Sequence, residues 1–195
     1  IINLTSLARI IMPEIELHLG KDIKQGAVVM ALKRISEELD FKINHKVSRV
    51  LQNIGEITVR SSLTDYTYEI SDTLLENQTK LMFEIKTNKN LFYTSSRGVN
   101  ETNIVVSSEI NDMVESCLKS EKLISKNENL SSITVKLPHE NVSVPGVYYY
   151  IFQSLAWEGI VIDEVISTSN EFTIVVNENQ IDLAFSVIKD LKKIG

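Results

Sequence analysis

The chain contains 195 residues, of which 43% are hydrophobic and 24% charged, and its formal net charge at pH 7 is −6. This length suits one large domain or two small ones with a real core. A single cysteine, Cys117, excludes an intramolecular disulfide, and no apolar run approaches the ~20 residues of a membrane span. These features favour a cytoplasmic protein without a membrane partner.

The first 53 residues have the spacing of amphipathic helices. Apolar residues recur at steps of three and four, at Leu4, Leu7, Ala8, Ile11, Ile15, Val28, Leu32 and Ile35. Gly20 lies at a stop position between two helices, and Pro13 predicts a kink or the end of a shorter helix. A third short helix is expected from His45 to Gln52. Since the sequence opens on Ile1 rather than Met, we expect residues to precede it.

This helical head is slightly basic, in contrast to the rest of the chain. Residues 1–53 contain eight lysine and arginine residues against six acidic ones, so the remaining residues carry the negative charge. Lysine and arginine contacts with phosphate supply most nonspecific nucleic-acid affinity. The candidates for DNA contact are Lys24, Lys33, Arg34 and Arg49. The alternative is that these four are ordinary solvated side chains.

After Gly55 the pattern changes to β-branched alternation. The stretch "EITVRSSLTDYTYEI", from Glu56 to Ile70, predicts two strands joined near residues 62–65, or one long bent strand. A helix over residues 72–86, short strands near 91–95 and 103–107, and a helix over 110–118 are expected next. The polar residues 119–131 predict a linker.

The remaining residues repeat this pattern. "ITVR" at 57–60 returns as "ITVK" at 133–136, and "IVVSSEINDMVESCLK" at 104–119 aligns without gaps on "IVVNENQIDLAFSVIK" at 174–189. A repeat of about 70 residues favours a duplicated small domain over a solenoid. Chance similarity of two strand-turn-helix units is the alternative.

The second copy predicts the order βαββα. Its elements are a strand over 132–137, a helix over 145–158, strands over 160–168 and 171–176, and a helix over 180–192. Only a final strand is missing from a ferredoxin-like sandwich, and the repeat partner or residues after Gly195 would supply it. The predicted organisation is a helical head at 1–53, a domain at 55–118, the linker at 119–131 and a domain at 132–195.

Several stretches of the second copy resemble an ACT domain, the amino-acid-sensing module of aspartokinase regulatory regions. The matching parts are the Pro145–Gly146 loop before the helix, the helix exit "LAWEGI", "ISTS" at the end of the second strand and "EFTIVV" as the third. The resemblance covers residues 131–191, and residues 57–118 look like a degenerate copy without the Pro-Gly loop. The head resembles part of a winged-helix or helix-turn-helix unit, in which the second helix would recognise DNA.

The resemblance implies an α+β fold, in which the helical head precedes two ferredoxin-like (βαββαβ) ACT-type domains. It also implies an amino-acid site at the loop between the first strand and the first helix, closed by the second strand of a neighbouring domain. The ligand-binding residues carried over in this way are His139, Pro145, Gly146, Val147, Val161, Ile162 and Asp163. Asp163 would hold an amino group, whereas Val161 stands where aspartokinase-type domains commonly have asparagine.

The helix after Pro145 is unusually aromatic, with Tyr148, Tyr149, Tyr150, Phe152 and Trp157 in about four turns. A helix with so few polar sides must be covered by more than one neighbour. Val147, Ile151 and Leu155 trace one face, which we expect to pack on the sheet. The face carrying Tyr149 and Trp157 is expected to contact another ACT domain in a homodimer.

Motifs of enzymes and of resident cofactors or metals are missing from the sequence, which has no glycine-rich phosphate loop, no Gly-x-Ser-x-Gly and no His-Glu-x-x-His. The resemblance therefore favours a non-enzymatic regulatory protein that senses an amino acid, with transcriptional regulation as one role. The alternatives are an interaction module that binds no metabolite, and a detached regulatory subunit of an amino-acid biosynthetic enzyme.

Overall fold

Two helices form the N-terminal head. The computed structural model describes residues 3–193, apart from the side chains of residues 37–44. Helix α1 spans Leu4–Leu19 and helix α2 spans Gln25–Gln52. Asn3 caps α1, because its Oδ1 accepts the N–H groups of Thr5 and Ser6 at 3.1 Å. Gly20 ends the helix with a φ of 65°, in the left-handed region that favours glycine.

The boundaries of the helices in the head differ from the prediction. Pro13 lies inside α1 without ending it, and the short helix expected at 45–52 is the last part of the 28-residue α2. Within the described residues before 57, α1 and α2 are the only regular elements, so the winged-helix resemblance is not confirmed. Residues 1–2 of the predicted head and 194–195 of the predicted last domain lie outside the described residues.

The rest of the chain forms one six-stranded sheet with helices on one face. The strands are β1 (Ile57–Glu69), β2 (Tyr93–Arg97), β3 (Glu101–Ser107), β4 (Leu123–Lys136), β5 (Ile162–Ser167) and β6 (Glu171–Asn177). The helices are α3 (Leu74–Ile85), α4 (Asn111–Cys117), α5 (Val147–Trp157) and α6 (Ile181–Asp190). The strand order is β2-β3-β1-β4-β6-β5, and every neighbouring pair is antiparallel.

This sheet consists of two matching halves. We name residues 57–117 the N-terminal unit and residues 123–190 the C-terminal unit, and each has the order βαββα. The long alignment of the sequence repeat is confirmed, since it superimposes β3 on β6 and α4 on α6. The strand registers agree with this alignment, which places Ser107 on Asn177. Ser107 pairs with Leu63 in one unit, and Asn177 pairs with Leu130 in the other.

The shorter part of the repeat was wrong. The segments "ITVR" and "ITVK" are not equivalent positions of two units but direct neighbours in the sheet, with Ile57 opposite Val135 and Val59 opposite Ile133. Their similarity reflects a shared environment: both are β-branched segments of the central strand pair. A four-residue match of this kind reports strand propensity rather than duplication.

The predicted linker was also wrong from residue 123 onwards. Residues 123–131 are the first part of β4, a strand of 14 residues that lies beside the 13-residue β1. Residues 123–130 of β4 pair with residues 63–68 of β1, and residues 57–60 of β1 pair with 132–135 of β4. Each unit therefore receives its missing strand from the other unit, one of the two sources that the sequence allowed.

The sheet curls strongly on the face without helices. Asn103 on β3 donates a hydrogen bond of 2.9 Å to Glu164 on β5, although β1, β4 and β6 lie between these strands. In a flat sheet, four strand spacings would separate them by roughly 19 Å. The concave face is lined by an apolar cluster of Leu63, Val105, Leu130 and Val175, each at most 1% exposed.

The two units keep separate cores on the helical face. Tyr66, Leu74, Leu81 and Val114 are among the buried residues of the N-terminal core. The larger C-terminal core contains Ile133, Ile151 and Phe172, and it also takes in Val47, Val50, Leu51 and Ile54 from the end of α2 and the residues after it. The head is thus anchored on the C-terminal unit. No helix of the described part is long and apolar enough to cross a membrane.

Truncating the central leucine should destabilise both units together. Leu130 is 1% exposed and lies opposite Leu63, where β1 and β4 cross. We expect Leu130→Ala to lower the free energy of unfolding by about 3 kcal/mol, through lost burial and a residual cavity. Val59→Ala, on the same strand pair but 43% exposed, should cost less than about 1 kcal/mol.

Urea unfolding followed by both far-UV circular dichroism and Trp157 fluorescence measures this change. Trp157 belongs to the C-terminal unit, whereas circular dichroism reports both units. The two signals should stay coincident in the variant; separate transitions for the two probes would contradict the shared sheet.

Candidate functional site

The loop between β4 and α5 forms an open cleft in the C-terminal unit. It contains a short 3₁₀ helix at His139–Ser143 and the turn Pro145–Gly146, and Gly146 has a φ of 95°. Residues 141–149 line a cleft of about 660 Å³. The N–H groups in the first turn of α5 have no acceptor within the helix, so they are available to a ligand at this position.

The end of β5 lies beside this loop. Asn141 is buried, and its Nδ2 donates to the backbone oxygens of Pro138 and Ser169, both at 2.9 Å. The hydroxyl groups of Tyr148 and Ser167 lie 2.9 Å apart. Two residues that line the cleft are thus held by hydrogen bonds to Ser167, the last residue of β5, and to Ser169 after it. Ser167 and Ser169 belong to the stretch "ISTS", which the sequence identified as a matching motif without assigning it to the site.

The loop residues predicted to bind a ligand differ in accessibility. His139 and Pro145 are exposed, and Gly146 contributes backbone at the start of α5. Val147 is only 3% exposed and belongs to the C-terminal core. The side chain of Val147 is therefore not available to a ligand in the cleft.

The other predicted residues lie at the far end of the same unit. Ile162, at the start of β5, pairs with Val176, whereas Ser167, at the end, pairs with Phe172. Phe172 pairs in turn with Val135, next to the β4–α5 loop. Within one chain the structure therefore separates the loop from Val161, Ile162 and Asp163 by about the length of a strand.

These three residues face different surroundings. Val161 is 68% exposed, and its N–H donates to Oε1 of Gln180 at 3.1 Å. Ile162 is half-buried against the C-terminal core. Asp163 is exposed at the rim of the concave face, yet partial burial of its carboxyl group still raises its pKa.

Asp163 lies near two further carboxylates that sequence reasoning missed. Asn103 donates to Asp65 at 2.5 Å and to Glu164 at 2.9 Å, so it joins the N-terminal unit to β5. Burial raises the pKa of Asp65; the hydrogen bond from Asn103 opposes this shift, and the charge of Asp163 adds to it. Burial followed by the charge of Asp65 raises the pKa of Glu164. No sequence pattern links these residues, because the pairing of β1 with β3 brings Asp65 to Asn103 and the curl of the sheet brings Glu164 to Asn103.

The corresponding loop of the N-terminal unit is hydrogen-bonded to a side chain of the same protein. Residues 70–73 connect β1 to α3, and a buried carboxylate, that of Glu121, lies against this loop. Glu121 accepts hydrogen bonds from Ser71, Thr73 and Asn77. Burial would raise its pKa, but the hydrogen bonds from Ser71, Thr73, Asn77 and Ser120 together lower it. Sequence reasoning had placed Glu121 in the linker, because its partners lie far away along the chain.

The aromatic helix α5 packs as the face analysis predicted. Val147, Ile151 and Leu155 are buried in the core, and the ring of Tyr148 stacks on Phe172 with centroids 5.0 Å apart. On the third face Tyr149 is 61% exposed and Trp157 is 78% exposed. Gln153 lies between them in sequence and donates to the hydroxyl group of Tyr149 at 2.8 Å.

The structure does not bring the predicted DNA-binding residues into one patch. Lys24 lies at the start of α2 and Arg49 in its last turn, roughly 37 Å apart along the axis at 1.5 Å per residue. Lys33 and Arg34 are exposed neighbours near the middle. Among the residues whose side chains are described, no group of histidine, cysteine and acidic residues is arranged to hold a metal ion.

Comparison with solved structures identifies proteins of the same fold. The regulatory subunit of aspartate kinase from Thermus thermophilus is similar with a TM-score of 0.58 and 10% identity, over 71% of this chain and 97% of that one. A structure of aspartokinase alpha and beta subunits has a TM-score of 0.56 and 15% identity, over 72% and 99%. The aspartate kinase from Clostridium acetobutylicum matches at 0.57 and 15%, over 71% of this chain but only 34% of that one.

These similarities support an ACT-like fold built from helices and a curled antiparallel sheet. At such low identity the likeness concerns the fold alone. No protein-family model matches the sequence, and no curated protein matches it by sequence. The chain spans nearly the whole length of the Thermus thermophilus regulatory subunit and of the matched aspartokinase subunit, and about a third of the Clostridium acetobutylicum kinase.

The buried carboxylates should make stability depend on pH. A carboxyl group whose pKa is raised by folding favours the folded state when protonated, and this stabilisation is lost as the pH rises through the folded pKa. Asp65 is 4% exposed and carries such a raised pKa. We therefore expect Asp65→Asn to raise the melting temperature at pH 7. The gain should vanish as the pH falls towards the ordinary aspartate pKa of 3.8.

Thermal denaturation at several pH values checks this expectation. Asp22→Asn, which neutralises an exposed aspartate in the α1–α2 loop, is the control and should change little at any pH. A variant Asp65→Asn less stable than the native protein at pH 7 would mean that the ionised carboxylate is favourable where it lies.

Proposed function

We propose that the protein is a regulatory module that senses an amino acid at the β4–α5 loop of the C-terminal unit. The observation that carries this proposal is the open cleft of about 660 Å³ at the start of α5, in a fold shared with a regulatory subunit of aspartate kinase. The Thermus thermophilus neighbour is a regulatory subunit, which supports a non-enzymatic role here. A detached regulatory subunit of a biosynthetic enzyme is compatible with the same features.

The chemistry of the cleft suits a carboxylate. Free N–H groups at the first turn of a helix, together with the helix dipole, attract a negative group. Gly146 exposes backbone without a side chain, and Pro145 has no N–H group to be left unsatisfied. The loop residues in this proposal are His139, Pro145, Gly146 and the backbone of Val147.

The amino group of the ligand requires a partner from elsewhere. The strand register places Val161, Ile162 and Asp163 too far from the loop of their own unit to contact the same ligand. We therefore assign these three residues to the cleft of a second copy, so that a dimer would complete each site. The adjacent hydroxyl groups of Tyr148 and Ser167 are additional polar groups at the cleft of the same chain.

Calorimetric titration with each of the twenty amino acids tests the sensing role. We expect heat and thermal stabilisation from one amino acid or a few related ones. Gly146→Ala should weaken that binding about tenfold, because alanine is strained by about 1–2 kcal/mol at a φ of 95° and the loop must shift.

Gly159→Ala is the matched control. Gly159 lies at the other end of α5 with a φ of 71°, and nothing lies within 4 Å of an added Cβ. Its substitution carries similar strain but should leave the affinity unchanged. If no amino acid gives heat or stabilisation with the native protein, the sensing role is excluded.

A second proposal concerns an interaction surface on α5. Tyr149 and Trp157 are both more than half exposed, although large aromatic side chains are commonly buried in interfaces. The surface formed by Tyr149, Gln153 and Trp157 would contact a second copy in a homodimer. This role does not require a metabolite, so it is also compatible with an interaction module that binds no metabolite.

Sedimentation velocity measures the oligomeric state for this second proposal. Replacing both Tyr149 and Trp157 by alanine should convert the dimer to a monomer, through loss of the aromatic anchors of the interface. Phe83→Ala is the control, since Phe83 is 64% exposed on α3, the equivalent helix of the N-terminal unit. An unchanged sedimentation coefficient in the double variant would count against this interface.

A further inference from the structure

The carboxylate of Glu121 is bound as if it were a ligand of the N-terminal unit. The residue is 8% exposed. Its Oε1 accepts hydrogen bonds from Oγ1 of Thr73 at 2.8 Å and from Nδ2 of Asn77 at 2.5 Å, and its Oε2 accepts one from Oγ of Ser71. Both oxygens are satisfied by donors that lie at least 44 residues away along the chain.

The three donors are themselves held in place. The N–H group of Leu74 donates to Oγ of Ser71 at 3.0 Å, and the N–H group of Asn77 donates to the oxygen of Thr73 at 3.0 Å. Asn77 also donates to Oγ of Ser120 at 3.3 Å and accepts from Lys80 at 3.1 Å. We call Ser71, Thr73 and Asn77 the cradle. Its geometry is fixed by the N-terminal unit rather than by Glu121 alone.

The cradle recognises a carboxylate with neutral groups. Two nearby lysines are paired with other acids, Lys80 with Glu76 at 2.9 Å and Lys122 with Glu69. The hydroxyl and amide donors therefore offset the cost of burying the charge of Glu121, as hydrogen bonds to a charged acceptor can.

Glu121 lies in the turn that joins the two units. This turn follows α4 and leads into β4, and the oxygen of its next residue, Lys122, accepts the N–H group of Glu69 at 3.0 Å. The residues that follow pair with β1 and complete the sheet of the N-terminal unit. The cradle thus fastens the start of β4 to the loop before α3.

We propose that Glu121 is an internal latch: a tethered carboxylate that fills the cradle, closes the N-terminal unit to free carboxylates and holds the start of β4 against it. The C-terminal unit has an open cleft at the equivalent loop, so the two halves of the chain differ in what they can bind. A carboxylate that displaced Glu121 would release the turn at 119–122, and with it the strand that joins the units.

Chemical rescue tests the latch directly. Glu121→Ala removes a CH₂–COO⁻ group, which acetate matches in size and charge. The variant should melt about 5 °C or more below the native protein, because the donors of the cradle lose their acceptor. Sodium acetate should recover a large part of this loss, whereas sodium chloride at the same ionic strength should not.

Three other proteins complete the experiment. The native protein and Glu56→Ala, which removes an exposed glutamate just before β1, should respond equally to acetate and chloride. Glu121→Gln fills the cradle with an uncharged group of the same shape, so it should melt below the native protein and show no acetate response. The proposal is overturned if acetate stabilises Glu121→Ala no more than it stabilises Glu56→Ala, or if Glu121→Gln is as stable as the native protein.

If Glu121→Ala does not fold in sodium chloride, refolding is measured instead of the melting temperature. Recovery from urea in acetate but not in chloride would support the latch, and failure in both salts would overturn it. The measurement involves no amino acid and does not involve the β4–α5 loop. Its failure would therefore leave the proposed sensing role untouched, and the converse also holds.

Discussion

The antiparallel pairing of β1 with β4 is the constraint on which the rest of the structure depends. Each of these strands serves both units, since its first part completes the sheet of the other unit and its second part is the first strand of its own. A separate unit would lack a neighbour along one side of its first strand, leaving a row of unpaired N–H and C=O groups. Stability and the relative orientation of the units are therefore properties of the whole chain.

Two irregular residues make this double role compatible with a curved sheet. Ser62 in β1 and Asn129 in β4 both have a φ of 57°, and the register of the strand pair shifts between Arg60 and Leu63. Such bulges bend a strand and increase its twist. They lie next to the buried Leu63–Leu130 pair, so the sheet bends near the middle of the β1–β4 pairing. The curl that brings Asn103 to Glu164 is consistent with bending at this point.

The sequence predicted those features that depend on neighbours along the chain. Helix and strand periodicity located most elements, and the long repeat identified equivalent strands because each copy keeps its own apolar residues facing its own helices. The polar stretch before Leu130 gave no such signal. Lys126, Asn127 and Glu128 are polar because that part of β4 is largely exposed, and only its hydrogen bonds to β1 make it a strand. Periodicity cannot distinguish a polar strand of this kind from a linker.

The site was predictable to a smaller extent, for the same reason. The Pro145–Gly146 loop is a local motif, and a few adjacent residues of the sequence were enough to identify it. Glu121 and its donors are brought together only by tertiary structure, as are Asp65, Asn103 and Glu164. The same limit applies to Asp163, which the strand register places at the far end of its own unit from the loop.

Helix α5 connects the two proposed activities of the C-terminal unit. Its first turn borders the cleft, and its exposed face carries Tyr149 and Trp157 along the same rigid element. A ligand at the loop and a partner on the face would therefore both act on the position of one helix. Linkage requires such coupling to be reciprocal, and it can be no larger than the difference in ligand affinity between the two states of the helix. A partner that fixes α5 in the ligand-bound position would raise the affinity for the ligand. The ligand would raise the affinity for that partner by the same factor.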